Sequence, residues 1–126
     1  MKRLLRPGTF GKLAEHLAAL LLRLKGYQIL ARQVRATRGT GAGEIDIVAK
    51  RGHLLAFVEV KARATPTQAL EALSRKQQSR IQRAALAYVS EHPGFASFDL
   101  RFDLIAIAPG TCQTIYKMPG NICGKF

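Results

Sequence analysis

Acidic residues are scarce in this chain, and three of its eight, Glu44, Asp46 and Glu59, fall in one short β-rich stretch that ends at Lys61. Glu44 to Arg51 and Leu54 to Lys61 flank Gly52-His53, a Gly-X pair suited to a type II′ hairpin turn. Such a turn makes Arg51 and Leu54 the closing pair, which sets Asp46 opposite Glu59 and Glu44 opposite Lys61. Side chains alternate across a sheet, so these four share one face with Val48, Leu55 and Phe57, while Ile45, Ile47, Val58 and Val60 take the other. Directly opposed carboxylates, with Cβ atoms about 5 Å apart, repel and need something to neutralise them. Two carboxylates, a backbone carbonyl and waters make a typical Mg²⁺ shell. Lys61 adds a cation beside that position, able to orient a water and to offset charge growing on a phosphate. The alternative is a solvated strand end in which Glu59 pairs with Lys61 or an arginine. Glu15, on the preceding amphipathic segment, is a fourth acid that can join the cluster.

The elements that must hold this hairpin are legible in the spacing. Phe10 to Lys25 carries Leu13, Leu17, Leu20 and Leu24 at helical intervals, with Thr9 as N-cap, Gly26 as the stop, and Lys12, His16 and Arg23 as a solvent stripe. Tyr27 to Arg35 reads as a strand with a basic edge, Arg32, Arg35 and Arg38, before Thr37 to Gly43 breaks regular structure. Pro66 and Thr67 start a short helix, and Ser74 with Gln77 forms a capping-box pattern opening a longer helix through about Glu91. Phe98 to Ile107 reads as a strand, Pro109-Gly110 as a turn, and Cys112 to Tyr116 as a short edge strand. Residues 1–8 and 117–126 are expected as loose ends. The order predicts an α/β domain with a mixed central sheet flanked by helices.

With 126 residues, the chain has room for one domain. Hydrophobic content of 48% with 22% charged residues excludes general disorder. Twenty Lys and Arg against eight Asp and Glu give +12, a field that favours polyanions, whether free nucleic acid, ribosomal RNA or an anionic membrane. Two cysteines, Cys112 and Cys123, are too few for a disulfide framework or a zinc site and are expected as free thiols in a reducing cytosol. The leucine-rich run after Met1-Lys2-Arg3 is too short for a signal peptide, and nothing approaches the roughly 18 apolar residues of a membrane span. A cytoplasmic protein without membrane attachment is therefore expected.

Asp46 followed by Glu59-Val60-Lys61 resembles the PD-(D/E)xK nuclease signature. The wider set of Gly11, Ala14-Glu15, Gly26-Tyr27, Gly43-Glu44-Ile45-Asp46, Phe57-Val58-Glu59-Val60-Lys61, Arg63, Lys76 and Arg101-Phe102-Asp103 resembles the YraN-like family of bacterial proteins, over about Thr9 to Ile107. The resemblance implies a restriction-endonuclease-like αβββαβ core, related to archaeal Holliday-junction resolvases. By analogy it implies a Mg²⁺- or Mn²⁺-dependent endonuclease on structured or branched DNA, in repair or recombination. Asp46 and Glu59 would then be metal ligands, Lys61 the water-orienting base, and Glu15 the helix-one glutamate beside the metal. Ile45 replaces the usual proline, and Glu44 is either a partner of Lys61 or an exposed strand residue.

Arg35, Arg38, Arg63, Lys76, Arg80 and Arg83 are the candidate phosphate contacts, against the alternative of a solvated basic face. Two other functions compete with the nuclease: a binding module of the same fold that clamps DNA or RNA without cutting, and a small protein of structured RNA. DNA is expected ahead of RNA, and junction cutting would demand a twofold homodimer. Asp103 reads as a structural partner for an arginine rather than a ligand.

Overall fold

A computed structural model describes residues 7–35 and 43–119, with side chains described for 11–35 and 43–115. Helix α1 (Pro7–Leu24) runs into Gly26, whose φ of +93° turns the chain back as the Gly26 and Tyr27 amides close onto the carbonyls of Arg23 and Leu22. Thr9, expected as N-cap, lies inside this helix, which starts earlier at Pro7. Strand β1 (Gln28–Arg35) follows, then the hairpin of β2 (Glu44–Arg51) and β3 (Leu54–Ala62). Gly52 has φ +61°, and among the described residues Gln33 is the one non-glycine with positive φ, so His53 is not left-handed. That pattern fits type II′ and excludes type I′, and Arg51 closes against Leu54 as the turn requires.

Thr65 and Ser74 cap α2 (Pro66–Glu71) and α3 (Arg75–Glu91), their side chains accepting from the Gln68 and Gln77 amides. A 3-10 turn at Pro93–Phe95 leads to β4 (Asp99–Ala108) and β5 (Thr111–Pro119). The sheet order is β1-β2-β3-β4-β5, antiparallel throughout except β3 with β4. Parallel neighbours need a long crossover, which α2 and α3 supply. The mixed α/β architecture expected from the sequence is the one observed, compatible with an αβββαβ core. β5 is longer than the short edge strand expected, and residues 7–8 and 117–119, expected in loose ends, belong to elements.

Two cores lie on opposite faces of the sheet. Against α1 pack Ile47, Ala49, Ala56, Val58, Ile105 and Ile107. On the α3 side Ile81, Ala84, Ala85 and Tyr88 cover Ile45, Val48, Leu55, Phe57, Phe102 and Leu104. Two expectations are corrected here. The residues of α1 that meet the sheet are Ala14, Glu15, Ala18, Ala19 and Leu22, whereas Leu13, Leu17, Leu20 and Leu24 are exposed. Ile45 was expected to share a face with Ile47 and instead joins the α3-side core. Among the described residues no helix is long and apolar enough to cross a membrane.

Candidate functional site

The β2–β3 ladder is regular from Arg51 and Leu54 up to Ile47 and Val58 and goes no further. One step on, the Asp46 carboxylate enters the gap between the strands, and its Oδ2 accepts from the Val60 amide at 2.7 Å. The expected face-to-face pairing of Glu44 with Lys61 is therefore absent. Glu44 meets Arg35 of β1 instead, at 3.5 Å and largely in solvent.

Gln33 lies across from Asp46, between the Arg32–Ile47 and Val34–Ile45 pairs, and has φ +52° in the middle of a strand. A left-handed residue turns a strand over. Arg32 reaches Glu15 on the α1 side, while Val34, which regular alternation would place on that side too, packs in the α3-side core. β2 reverses at the same step, Ile47 facing α1 and Ile45 facing α3, which is why the hairpin arithmetic misplaced Ile45. Both Gln33 and Asp46 consequently line a cleft of about 560 Å³ together with Lys12, Glu15, Lys61 and Arg63. A non-glycine residue held this way costs about 1–3 kcal/mol, most for a β-branched side chain. Gln33→Val is expected to lower stability by about 1–2 kcal/mol relative to Gln33→Gly, measured by denaturant unfolding; equal stabilities would refute the left-handed backbone.

On the other side of Asp46 a smaller cleft, about 200 Å³, is lined by Glu44, Asp46, Glu59, Gln77 and Arg80. Glu59 is 5% exposed. Its Oε2 accepts from Gln77 Nε2 at 2.8 Å and lies 3.3 Å from Lys61 Nζ, while Oε1 is buried without a hydrogen-bond partner. Burial and the neighbouring Asp46 charge push the Glu59 carboxyl up to about 8, against the opposing pull of Lys61. Asp46 is raised as well, first by burial and then by Glu15 and Glu44, although the Val60 amide favours its charged form. The two carboxylates are near enough for the Asp46 charge to act on Glu59. Glu15 closes the cluster from α1: its Oε1 takes Arg32 Nη2 at 2.9 Å, and Gln33 Nε2 lies 3.5 Å from Oε2.

Residues 14–107 match the profile of an uncharacterised protein family, UPF0102. The chain belongs to this family. A UPF0102 protein of Paramagnetospirillum magneticum, amb4503, is 58% identical over 89% of this chain and 82% of its own. UPF0102 proteins of Parvibaculum lavamentivorans and Nitrobacter winogradskyi are 52% and 48% identical, over 79% and 92% of this chain and 71% and 90% of theirs. The YraN-like resemblance read from the motifs is this family. The span matched by the UPF0102 profile holds Glu15, Gln33, Asp46, Glu59, Lys61 and Gln77.

The sequence marks Gln77 only as half of a capping box. Its backbone amide donates to Ser74 Oγ at 3.0 Å as a capping box requires, but its side chain, which the capping box would have accept from the Ser74 amide, donates through Nε2 to Glu59 Oε2. Of the basic candidates, Arg63 lines the larger cleft and Arg80 the smaller. The Gly43 amide donates to the Arg80 carbonyl at 3.1 Å, and a Cβ on Gly43 would stand 3.2 Å from Arg80 Cβ, so a glycine lets the start of β2 dock this closely on α3. Lys76 and Arg83 are exposed on α3, Arg83 bonding Ser79, and Arg38 lies outside the described residues. Asp103 is buried at 2.7 Å from Arg101 and stands apart from the cluster, as a structural pair should.

Among the described residues no group of three His, Cys, Asp or Glu could hold a metal by itself. Two carboxylates suffice for Mg²⁺, which keeps several waters and completes its shell with substrate phosphate oxygens. Glu59 Oε1, buried, unpartnered and next to a second carboxylate, fits such a cation, because a positive charge there removes both the repulsion and the orphaned acceptor.

Proposed function

We propose that this UPF0102 protein is a Mg²⁺- or Mn²⁺-dependent phosphodiesterase that cuts structured or branched DNA. The observation that carries this reading is the unpartnered Glu59 Oε1 beside Asp46, at the point where β2 and β3 part. Asp46 and Glu59 would hold the cation, which when bound polarises the scissile phosphate and lowers the pKa of a water. Lys61 Nζ, anchored on Glu59 Oε2, is placed to orient that water and to offset charge developing on the phosphate oxygens. Gln77 fixes the Glu59 carboxylate from α3, and Glu15, itself held by Arg32, adds negative charge from α1. Arg63 and Arg80, one on each cleft, give the phosphodiester backbone a cation on either side of Asp46.

The competing reading is a module that binds nucleic acid without cutting it. The charge of the gap argues against it: a phosphate binder gains nothing from a buried carboxylate pair, which repels its ligand and costs free energy when left unpaired. The test is incubation of the purified protein with labelled duplex, flap and four-way-junction DNA, with Mg²⁺ and with chelator. Nicking of at least one branched substrate is expected with metal only. Binding should weaken steeply with salt, because each neutralised phosphate releases counterions. Absence of cleavage together with absence of Mg²⁺ or Mn²⁺ binding by calorimetry would overturn the nuclease in favour of the binding module.

A further inference from the structure

Four of the large apolar side chains exposed in the described structure stand in one row on α1: Leu13, Leu17, Leu20 and Leu24, exposed by 46%, 39%, 51% and 77%. At helical geometry they point away from Ala14, Ala18 and Leu22, which meet the sheet, so the row lies on the outward side of the helix. Their spacing of four, three and four residues is that of the a and d positions of a coiled-coil seam. Together they expose apolar surface on the order of a few hundred Å², the size at which such a patch marks an interaction site. Lys12, His16 and Arg23 form a second exposed row about a quarter-turn away along one flank. Between residues 7 and 35 the sole acid is Glu15, which is buried and paired with Arg32.

We propose that the outward face of α1 docks an amphipathic helix of a different protein, its leucine-type seam on Leu13, Leu17, Leu20 and Leu24 and its acidic flank against Lys12 and Arg23. Charge chooses this occupant. A second copy would present the same basic flank and a further +12, so approach is opposed by like charge. The segments of this chain outside the described residues, 1–6, 36–42 and 120–126, contain no Asp or Glu to complement the flank. A bilayer surface prefers a broad apolar face with aromatic anchors, whereas among the described side chains, from residue 11 on, this face is a seam one leucine wide with no aromatic residue in its exposed rows. The surface is independent of the proposed chemistry, although Lys12 also lines the larger cleft and makes the two contiguous.

The test uses the full chain and two labelled synthetic helical peptides of about four heptads, both with leucine at a and d, one with glutamate and one with lysine at e and g. By fluorescence anisotropy the glutamate peptide is expected to bind with a Kd on the order of micromolar, weakening as salt rises, and the lysine peptide at least about 100-fold less tightly. Leu17→Glu and Leu20→Glu, both at exposed positions, should each weaken the glutamate peptide about tenfold or more with unchanged circular dichroism. Arg23→Glu should narrow the preference between the peptides by about tenfold, which a nonspecific apolar patch would not do. Equal binding of both peptides, or of neither, overturns the proposal. So does a wild-type dimer in sedimentation that Leu20→Glu dissolves, which would make a second copy the occupant. Leucine-dependent binding to phosphatidylglycerol vesicles would assign the face to a bilayer instead.

Discussion

Asp46→Asn is expected to lower Mg²⁺-dependent strand cleavage by about 10³-fold or more while leaving metal-free DNA affinity equal to wild type or tighter. The substitution is nearly isosteric, and the asparagine oxygen can still accept from the Val60 amide, so the parting of β2 and β3 survives. What is lost is one of two ligand charges in a site that has no third acidic ligand among the described residues. The gain in affinity follows from removing a negative charge at the place a phosphodiester must occupy. Lys61→Ala should separate the two roles: cleavage falls by about 10²–10³-fold, yet Mg²⁺ still raises the melting temperature, because both carboxylates remain. Wild-type cleavage rates in Asp46→Asn would sink the proposed function. Loss of the Mg²⁺-induced melting shift in Lys61→Ala would instead make the lysine a structural support for Glu59 through the 3.3 Å contact.

The hairpin was legible because the turn residues at Gly52 and His53 fix the register of everything beyond them, and the strand pairs up to Ile47 and Val58 obey it. Asp46 and Glu59 meet although that ladder ends just before them. The arithmetic could not show the reversal at Gln33 and Asp46, since glutamine carries no signal for a left-handed backbone and alternation is assumed wherever no glycine or bulge is visible. Nor could periodicity settle which side of α1 is buried. Leu13, Leu17, Leu20 and Leu24 form one apolar row, and Ala14, Ala18 and Leu22 form another. Hydropathy favours the leucines, but α1 lies on the sheet through small alanines, which permit a close approach and leave the leucines outside. Gln77 illustrates a third limit: a local capping signature competes with a buried carboxylate brought from a distant strand, and only the fold reveals that competitor.

The raised Glu59 carboxyl gives the last prediction its sign. In the unfolded chain this group titrates near 4.5, and in the folded protein near 8, so between those values the folded state holds a proton that the unfolded state has released. Stability conferred by that proton is fully present below about 4.5 and is lost as pH rises through about 8. Glu59→Gln cannot ionise, its amide oxygen can accept from Gln77, and its NH₂ can donate to Asp46. The variant should therefore match wild type near pH 4.5 and exceed it at pH 8.5 by an amount on the order of a few kcal/mol, or a melting shift of about 10 °C. Divalent cation should oppose the same loss in wild type, because a cation on the paired carboxylates replaces the proton, and its stabilisation should grow with pH and be much reduced in Glu59→Gln. Thermal melts of both proteins from about pH 4.5 to 9, with Mg²⁺ and with chelator, read the two effects separately. A difference between the proteins that does not vary with pH would mean that Glu59 is ionised in the folded state at neutral pH, with Lys61 and Gln77 outweighing burial and the Asp46 charge. A pH-dependent difference without a Mg²⁺ effect would leave a proton-sharing carboxylate pair that does not bind the cation, and with it a fold whose gap between β2 and β3 serves something other than metal-dependent hydrolysis.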